Sequence, residues 1–161
     1  MKIINANWVV TCDENNSIIK NGAVVFDDKI IEIDTLINIE KKYSNIEILK
    51  LEDNSVLMPG LINSHVHLEF SSNTTTLKYG NFMSWLNSVI KSRDDLINKA
   101  DKKLIFTKLD RMKKTGTTTI GAISSYSFDL EACVKSPINT GFFCEVIGSK
   151  GDMVDTLFAD F

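Results

Sequence analysis

Two histidines, His65 and His67, are the side chains of this chain best suited to bind a metal ion, and the sequence contains no others. They follow residues 56–62, a nearly unbroken apolar run that is typical of a strand buried on both faces. Side chains alternate along a strand, so the i, i+2 spacing predicts both imidazoles on one face at the C-terminal end of that strand. Two imidazoles in that arrangement can share one divalent cation.

An isolated HxH is a weak signal for a metal site, because two polar residues at a strand end produce the same pattern without binding metal. Three features favour the metal site. The preceding run reads as a buried strand, Pro59-Gly60 predicts a sharp bend at its entry, and both histidines of the chain fall within this one motif. Asn63 lies two residues before His65 on the same predicted face, and is a candidate hydrogen-bond partner for the ligands.

Three further side chains are candidates for contact with a small-molecule substrate. Glu69 lies two residues after His67, and it either faces the same site or is a solvated loop carboxylate. Glu145 lies inside the apolar run 142–147, where a charge is seldom structural filler, and we expect it near the substrate. Trp85 either lines the pocket or packs in the core, where aromatic residues at helical spacing are common.

The elements before the motif are those of an all-β unit. Turn signals at residues 13–16, 21–22 and 27–28 separate short apolar segments. Strands are predicted at residues 3–11, 17–20, 23–26, 29–34 and 46–51, with one short helix at 37–43. We therefore expect a small β-sandwich-like domain at residues 1–55.

The elements after residue 55 alternate between strand and helix. Strands are predicted at 56–62, 117–123 and 141–147, and helical segments at 82–90, 94–114, 128–135 and from 151 onward, with Gly116 as a helix C-cap. This order indicates a parallel sheet or barrel, in which active sites lie at the C-terminal ends of the strands. About 105 residues suffice for three βα units, whereas a complete (β/α)8 barrel needs ~250.

Composition excludes several classes of partner. The net charge of -3 provides no basic surface for nucleic acid or an anionic membrane. The N-terminus lacks the apolar segment of a signal peptide, and no run approaches the ~18 apolar residues of a membrane span, so we expect a cytoplasmic protein. Cys12, Cys133 and Cys144 form no CxxC pair, and we expect small buried hydrophobes in a reducing compartment.

Around the histidines the chain resembles a known family. Residues 59–67, which read PGLINSHVH, resemble the PG-hydrophobic-hydrophobic-N-x-HxH signature of the amidohydrolase superfamily. The next two residues, LE, resemble the branch that contains cytosine, guanine, adenosylhomocysteine and aminofutalosine deaminases and the triazine chlorohydrolases. GTTT at 116–119 and FMSWL at 82–86 resemble the second barrel strand and the segment after the first, so the resemblance spans essentially the whole chain.

The resemblance implies an α/β fold: a β-sandwich-like unit at 1–55, then the first three βα units of a metal-dependent (β/α)8 barrel at 56–161, incomplete. It implies that His65 and His67 bind a catalytic Zn²⁺ or Fe²⁺. Such a metal lowers the pKa of bound water to ~7, and the resulting hydroxide attacks an electron-poor ring carbon. It also makes Glu69 a substrate contact. Members of the family take further ligands and acid–base groups from later strands, which are absent here. We therefore expect an N-terminal part of a longer enzyme, without catalytic residues of its own and inactive alone.

The function implied is hydrolysis of a C–N bond in a cyclic amidine, namely deamination of an aminopurine-type compound. HVHLEF and FFCEVIG resemble the aminofutalosine deaminases of menaquinone synthesis. The alternatives within the superfamily are a guanine or adenosylhomocysteine deaminase and a triazine-type chlorohydrolase. The alternative of another class is a non-catalytic assembly module, which would need no metal.

A three-stranded portion of a barrel leaves its lumen face uncovered. Leu61, Phe143 and Ile147 are predicted to lie on that face, and exposed apolar patches of several hundred Å² are rare on soluble monomers. We therefore expect a homo-oligomer or another covering partner, and a small nucleoside or heterocyclic amine as the only other partner.

Overall fold

The chain forms an open five-stranded sheet followed by an open three-stranded parallel sheet. The computed structural model describes residues 1–147, 151 and 154–159. It divides into two compact units, Met1–Pro59 and Gly60–Phe161, where the sequence predicts domains at 1–55 and 56–161. The α/β fold class predicted from the sequence is confirmed, and neither sheet closes into a barrel.

The first unit is one sheet with a helix on one face. Its elements are β1 (Lys2–Val10), β2 (Ile18–Phe26), β3 (Ile30–Thr35), α1 (Leu36–Lys42), β4 (Ile48–Lys50) and β5 (Val56–Leu57). The strand order is β3-β2-β1-β4, with β5 also beside β1. Ile3, Val25 and Ile39 form a core between the sheet and α1. The opposite face leaves an apolar groove beside Val9 and Val24, so this face of the sheet is open among the described residues.

The turn predicted at Asn21-Gly22 is wrong, because β2 continues through both residues. Asn21 adopts a φ of 47°, which bends the strand locally. The Asn5 side-chain amide donates to the Gly22 carbonyl at 2.8 Å and to Asn21 Oδ1 at 3.2 Å. The neighbouring strand therefore satisfies the polar groups at the bend, and no reversal is needed.

The single buried strand predicted at residues 56–62 is also wrong. Val56 and Leu57 pair with β1 in the first sheet, and a new strand begins only at Leu61. Pro59 lacks a backbone N–H and cannot continue a ladder, so the apolar run is divided between two sheets. Ile62 is 71% exposed, because one face of the second sheet is uncovered.

The second unit has three parallel strands in the order β6-β7-β8. Its elements are β6 (Leu61–Val66), a 3₁₀ helix (Leu68–Phe70), α2 (Phe82–Lys99), α3 (Lys102–Lys114), β7 (Thr117–Ser124), α4 (Leu130–Lys135), β8 (Asn139–Cys144) and α5 (Val154–Ala159). Ile105, Leu109 and Ile120 belong to the core that joins the helices to β7. The predicted helix from 151 onward is α5, and its last predicted residues lie outside the described ones.

The helix predicted at residues 94–114 is interrupted after Lys99. Asp101 accepts a hydrogen bond from the Leu104 N–H at 2.7 Å and so caps the N-terminus of α3. The predicted cap at Gly116 is supported: its φ of 95° suits the residue after a helix C-cap, here Thr115.

Leu61, Phe143 and Ile147, the exposed apolar set, are 51%, 56% and 51% exposed, as predicted for an uncovered sheet face. The expectation that all three cysteines are buried is wrong, since only Cys133 is, while Cys12 and Cys144 are exposed. Burial, aided by the charge of Asp129, raises the pKa of the Cys133 thiol to about 11.

Candidate metal centre

The imidazoles of His65 and His67 converge at the C-terminal end of β6. Their Nε2 atoms lie 3.2 Å apart, and the ring centroids are separated by 5.1 Å. A tetrahedral metal with bonds of 2.0–2.1 Å requires its nitrogen ligands about 3.3–3.4 Å apart. The two side chains therefore fit a shared divalent cation, and the role predicted for them stays a prediction that this geometry supports.

An irregularity in β6 delivers His65 to this position. Between Asn63 and Val66 the pairing with β7 shifts register, so that Ser64 and His65 form a bulge beside Gly121. A Cβ atom at Gly121 would lie 2.3 Å from the Ser64 carbonyl oxygen, so only glycine allows this approach of the two backbones. Asn63 Oδ1 accepts a hydrogen bond from the His65 N–H at 3.3 Å, which supports the predicted contact with a ligand residue.

His67 is held in place by the 3₁₀ helix that follows it. The Phe70 N–H donates to the His67 carbonyl at 3.3 Å, and the two rings lie 5.7 Å apart. The Nδ1 atom of His67 is buried and has no hydrogen-bond partner among the described residues. Glu69 Oε1 lies 3.8 Å from it, which is an ion-pair distance rather than a hydrogen bond.

Glu69 is fully buried, with 0% of its surface exposed, so the solvated loop carboxylate considered from the sequence is wrong. The backbone N–H of Ser125 donates to its Oε2 at 2.9 Å, and the Ser125 hydroxyl donates to its Oε1 at 3.1 Å. The Arg93 guanidinium lies 4.0 Å from Oε1 and supplies a compensating charge. Substrate contact by Glu69 stays a prediction, and none of its surface is open for one in the described structure.

Glu145 joins this cluster from the neighbouring strand. It lies directly after β8, half-buried, and its backbone N–H donates to the Ser124 carbonyl at 2.8 Å. Its Oε2 accepts from the Ser125 hydroxyl at 3.3 Å. A hydroxyl has one proton, so Ser125 can donate to only one of the two carboxylates, Glu69 or Glu145, at a time. The two acidic residues picked out from the sequence are thus brought together at one serine.

Trp85 is not part of the cluster. It lies half-buried on α2, and its ring packs on Phe82 with 5.8 Å between centroids. None of the hydrogen bonds and ion pairs of the described histidines and carboxylates involves it. Its predicted place in a substrate pocket stays a prediction.

The sequence reading missed two residues of the cluster, Arg93 and Ser125. Arg93 stacks over the Tyr126 ring at 5.2 Å, and its buried Nε has no hydrogen-bond partner in the part of the chain that the structure describes. Ser125 follows β7 directly, and residues that follow a parallel strand are candidates for site contacts. Ser125 could therefore have been predicted from its position after a strand. The sequence around Arg93 contains no pattern that would have predicted its place in the cluster.

Among the described residues no group of three or more His, Cys, Asp or Glu side chains is placed to hold a metal ion. The two imidazoles are therefore a partial ligand set. In the same part of the chain, no helix combines the length and apolar character needed to cross a membrane.

The model of the amidohydrolase family matches residues 56–148, which is more than half of the chain. The chain belongs to the amidohydrolase family. Along its whole length this amidohydrolase chain is 45% identical to the aminodeoxyfutalosine deaminase of a Nitratiruptor species, of which it covers 39%. The resemblance stated from the sequence is thereby confirmed.

Two solved enzyme structures share the fold of this chain. Helicobacter pylori aminofutalosine deaminase in complex with methylthio-coformycin matches all of this chain with a TM-score of 0.88 and 32% identity, over 40% of its own length. The zinc complex of atrazine chlorohydrolase from Arthrobacter aurescens matches 92% of this chain with a TM-score of 0.68, over 37% of its own length. At 20% identity the latter shows the fold alone. The chain spans about two-fifths of the length of these relatives.

Proposed function

We propose that this chain belongs to a metal-dependent deaminase of an aminopurine-type nucleoside, with aminodeoxyfutalosine as the first substrate to test. The observation that carries the proposal is the convergence of His65 and His67 Nε2 atoms 3.2 Å apart at the end of a parallel strand. That pair lies in a chain 45% identical to a deaminase named for this substrate. We propose zinc or ferrous iron as the metal, because neutral imidazole suits both.

His65 and His67 would hold the metal through Nε2, and the remaining ligands and acid–base groups would come from outside these 161 residues. The chemistry that a metal held there would supply is a nucleophile at neutral pH, because metal ligation lowers the pKa of water. The chain's own residues orient this site. Gly121 admits the bulge that contains His65, and the Asn63 side chain accepts a hydrogen bond from the His65 N–H within that bulge.

Glu145 and Trp85 are the proposed substrate contacts of this chain. Glu145 is half-buried at the C-terminal edge of the sheet, where its carboxylate can accept a hydrogen bond from a hydroxyl or amino group. Trp85 offers an aromatic surface for a planar base. The exposed apolar set supports a covering partner, and we propose that a second copy of the protein or its remaining chain supplies it, in the cytoplasm.

The test uses the full-length protein that contains this chain. We expect about one zinc or iron per chain, and ammonia release from aminodeoxyfutalosine faster than from adenosine, guanine, S-adenosylhomocysteine or an aminotriazine. His65→Asn and His67→Asn should each lose metal and at least about 100-fold in kcat/KM. Lys114→Gln, on the exposed surface of α3, is the matched control and should keep both.

Each outcome separates the candidates. A higher rate on guanine, S-adenosylhomocysteine or the triazine would assign the protein to another branch of the family. A pure, folded full-length protein with neither metal nor ammonia release would favour a non-catalytic assembly module and contradict the proposal.

A further inference from the structure

The buried Nδ1 atom of His67 and the buried carboxylate of Glu69 face each other without either being solvated. Within the described part of the chain, Nδ1 has no hydrogen-bond partner, and Glu69 Oε1 lies 3.8 Å away. A buried polar atom without a partner is costly, so a native structure that retains one requires an explanation. The His67 side chain is 25% exposed, but its Nδ1 atom lies on the buried side, toward Glu69.

The carboxylate of Glu69 is held firmly enough to orient a neighbour. The Ser125 backbone N–H donates to it, the Ser125 hydroxyl donates to it when not donating to Glu145, and Arg93 lies 4.0 Å away. These contacts join the segment after β6 to the loop after β7. Because the carboxylate is fully buried and both its oxygens are engaged, it has no free surface for a substrate group.

An ionised carboxylate can only accept hydrogen bonds. Facing Nδ1, it favours the imidazole tautomer that carries its proton on Nδ1. In that tautomer the lone pair lies on Nε2, which is the atom 3.2 Å from the Nε2 of His65. The 3.8 Å separation is about 1 Å longer than the ~2.7–2.9 Å of a charge-assisted hydrogen bond, so a relative shift of about that size would form one.

We propose that Glu69 is a positioning residue for His67, whose carboxylate keeps the proton on Nδ1 and leaves Nε2 free to bind a metal ion. This assignment rests on the proposed metal site, and it replaces the substrate contact expected for Glu69 from the sequence. Ser125 is the residue that holds the carboxylate in place. Partners behind a ligating histidine fix its tautomer and orientation, and their loss typically costs about 10–100-fold in metal affinity.

Glu145 is the matched control for metal binding, because it shares the Ser125 hydroxyl but forms no hydrogen bond or ion pair with His67 in the described structure. The test measures the zinc dissociation constant of the full-length protein by competition with a chromophoric chelator. Glu69→Gln should weaken zinc binding about 10–100-fold. The amide can turn its NH2 toward Nδ1, which favours a proton on Nε2 and blocks ligation. Glu145→Gln should retain the wild-type zinc affinity.

Two further measurements separate positioning from simple damage to the fold. The ¹⁵N shifts of labelled histidine in the metal-free protein should show His67 protonated on Nδ1 in the wild type and shifted away from that tautomer in Glu69→Gln. Ser125→Ala retains the backbone donor, is less disruptive, and should weaken zinc binding by a smaller factor than Glu69→Gln. Urea unfolding of the metal-free variants should show them folded.

The result that overturns the inference is a wild-type protein that binds zinc and a folded Glu69→Gln variant that binds it equally well with an unchanged His67 tautomer. An equal loss in Glu145→Gln would overturn it too, because the effect would not be specific to His67. If Glu69→Gln raised KM but left zinc affinity unchanged, Glu69 would be a substrate contact rather than a positioning residue. A wild-type protein that binds no zinc or iron would overturn the proposed function itself, and the inference with it.

Discussion

Because β6 and β7 approach closely at Gly121, we expect that a side chain at this position would disturb the proposed metal centre. In Gly121→Ala the new methyl carbon would lie 2.3 Å from the Ser64 carbonyl oxygen and 2.9 Å from its carbonyl carbon. Both atoms belong to the backbone, so no side-chain rotation relieves the clash. Restoring a separation of about 3.0 Å, the lower limit for such contacts, requires a displacement of at least about 0.7 Å in the bulge beside His65.

That displacement has two measurable consequences. Overpacking of this kind typically costs about 1–3 kcal/mol in the free energy of unfolding. Metal–ligand distances tolerate only about ±0.2 Å, so a shift of this size beside His65 should weaken zinc binding roughly tenfold or more. Urea unfolding of the metal-free protein and chelator competition measure the two quantities separately.

Gly141→Ala is the matched control, since Gly141 pairs with Gly121 in the neighbouring strand β8. Its new methyl would meet a Phe143 ring carbon at 3.3 Å, and that side chain can move. We expect a change within about 0.5 kcal/mol and unaltered zinc affinity. Equal stabilities and zinc affinities for the two variants would refute the reasoning that the bulge needs glycine opposite it.

Three other predictions concern stability and association. The pKa of Cys133 is raised from 9.0 to about 11, so the neutral buried thiol stabilises the fold fully below pH 9. As the pH rises from 9 toward 11 the free energy of unfolding should fall by up to about 1.4 kcal/mol per pH unit. Cys133→Ala should remove this fall, and wild type and variant with the same dependence of unfolding free energy on pH would contradict the prediction. The pKa of Glu131 is lowered from 4.5 to about 2 by Lys102 and Lys135, so its contribution is present above pH 4.5 and lost toward pH 2; Glu131→Gln should flatten that acid limb in urea titrations. The isolated 161-residue chain should self-associate or bind a hydrophobic dye through the exposed apolar set. A monodisperse monomer in light scattering that binds no dye would show that this set is not an interaction surface.

Local patterns in the sequence were sufficient for most of the element types and for the family to which the chain belongs. The HxH spacing after Pro59-Gly60, the β-branched run that becomes β7 and the helical periodicity of α2 and α3 are all short-range signals. They predicted the order of elements in the second unit and the family to which the chain belongs. They failed where a short-range signal competes with pairing to a distant strand, as at Asn21-Gly22.

The tertiary structure decided how the site is built. Strand alternation alone would place His65 and His67 together, yet the structure reaches that arrangement through a bulge that depends on Gly121. Glu69 meets Ser125, 56 residues away in sequence, only because β6 and β7 lie side by side. Periodicity records which face a residue occupies within its own element. The partner of a buried carboxylate depends on which strands become neighbours, and that is determined by packing of the whole chain.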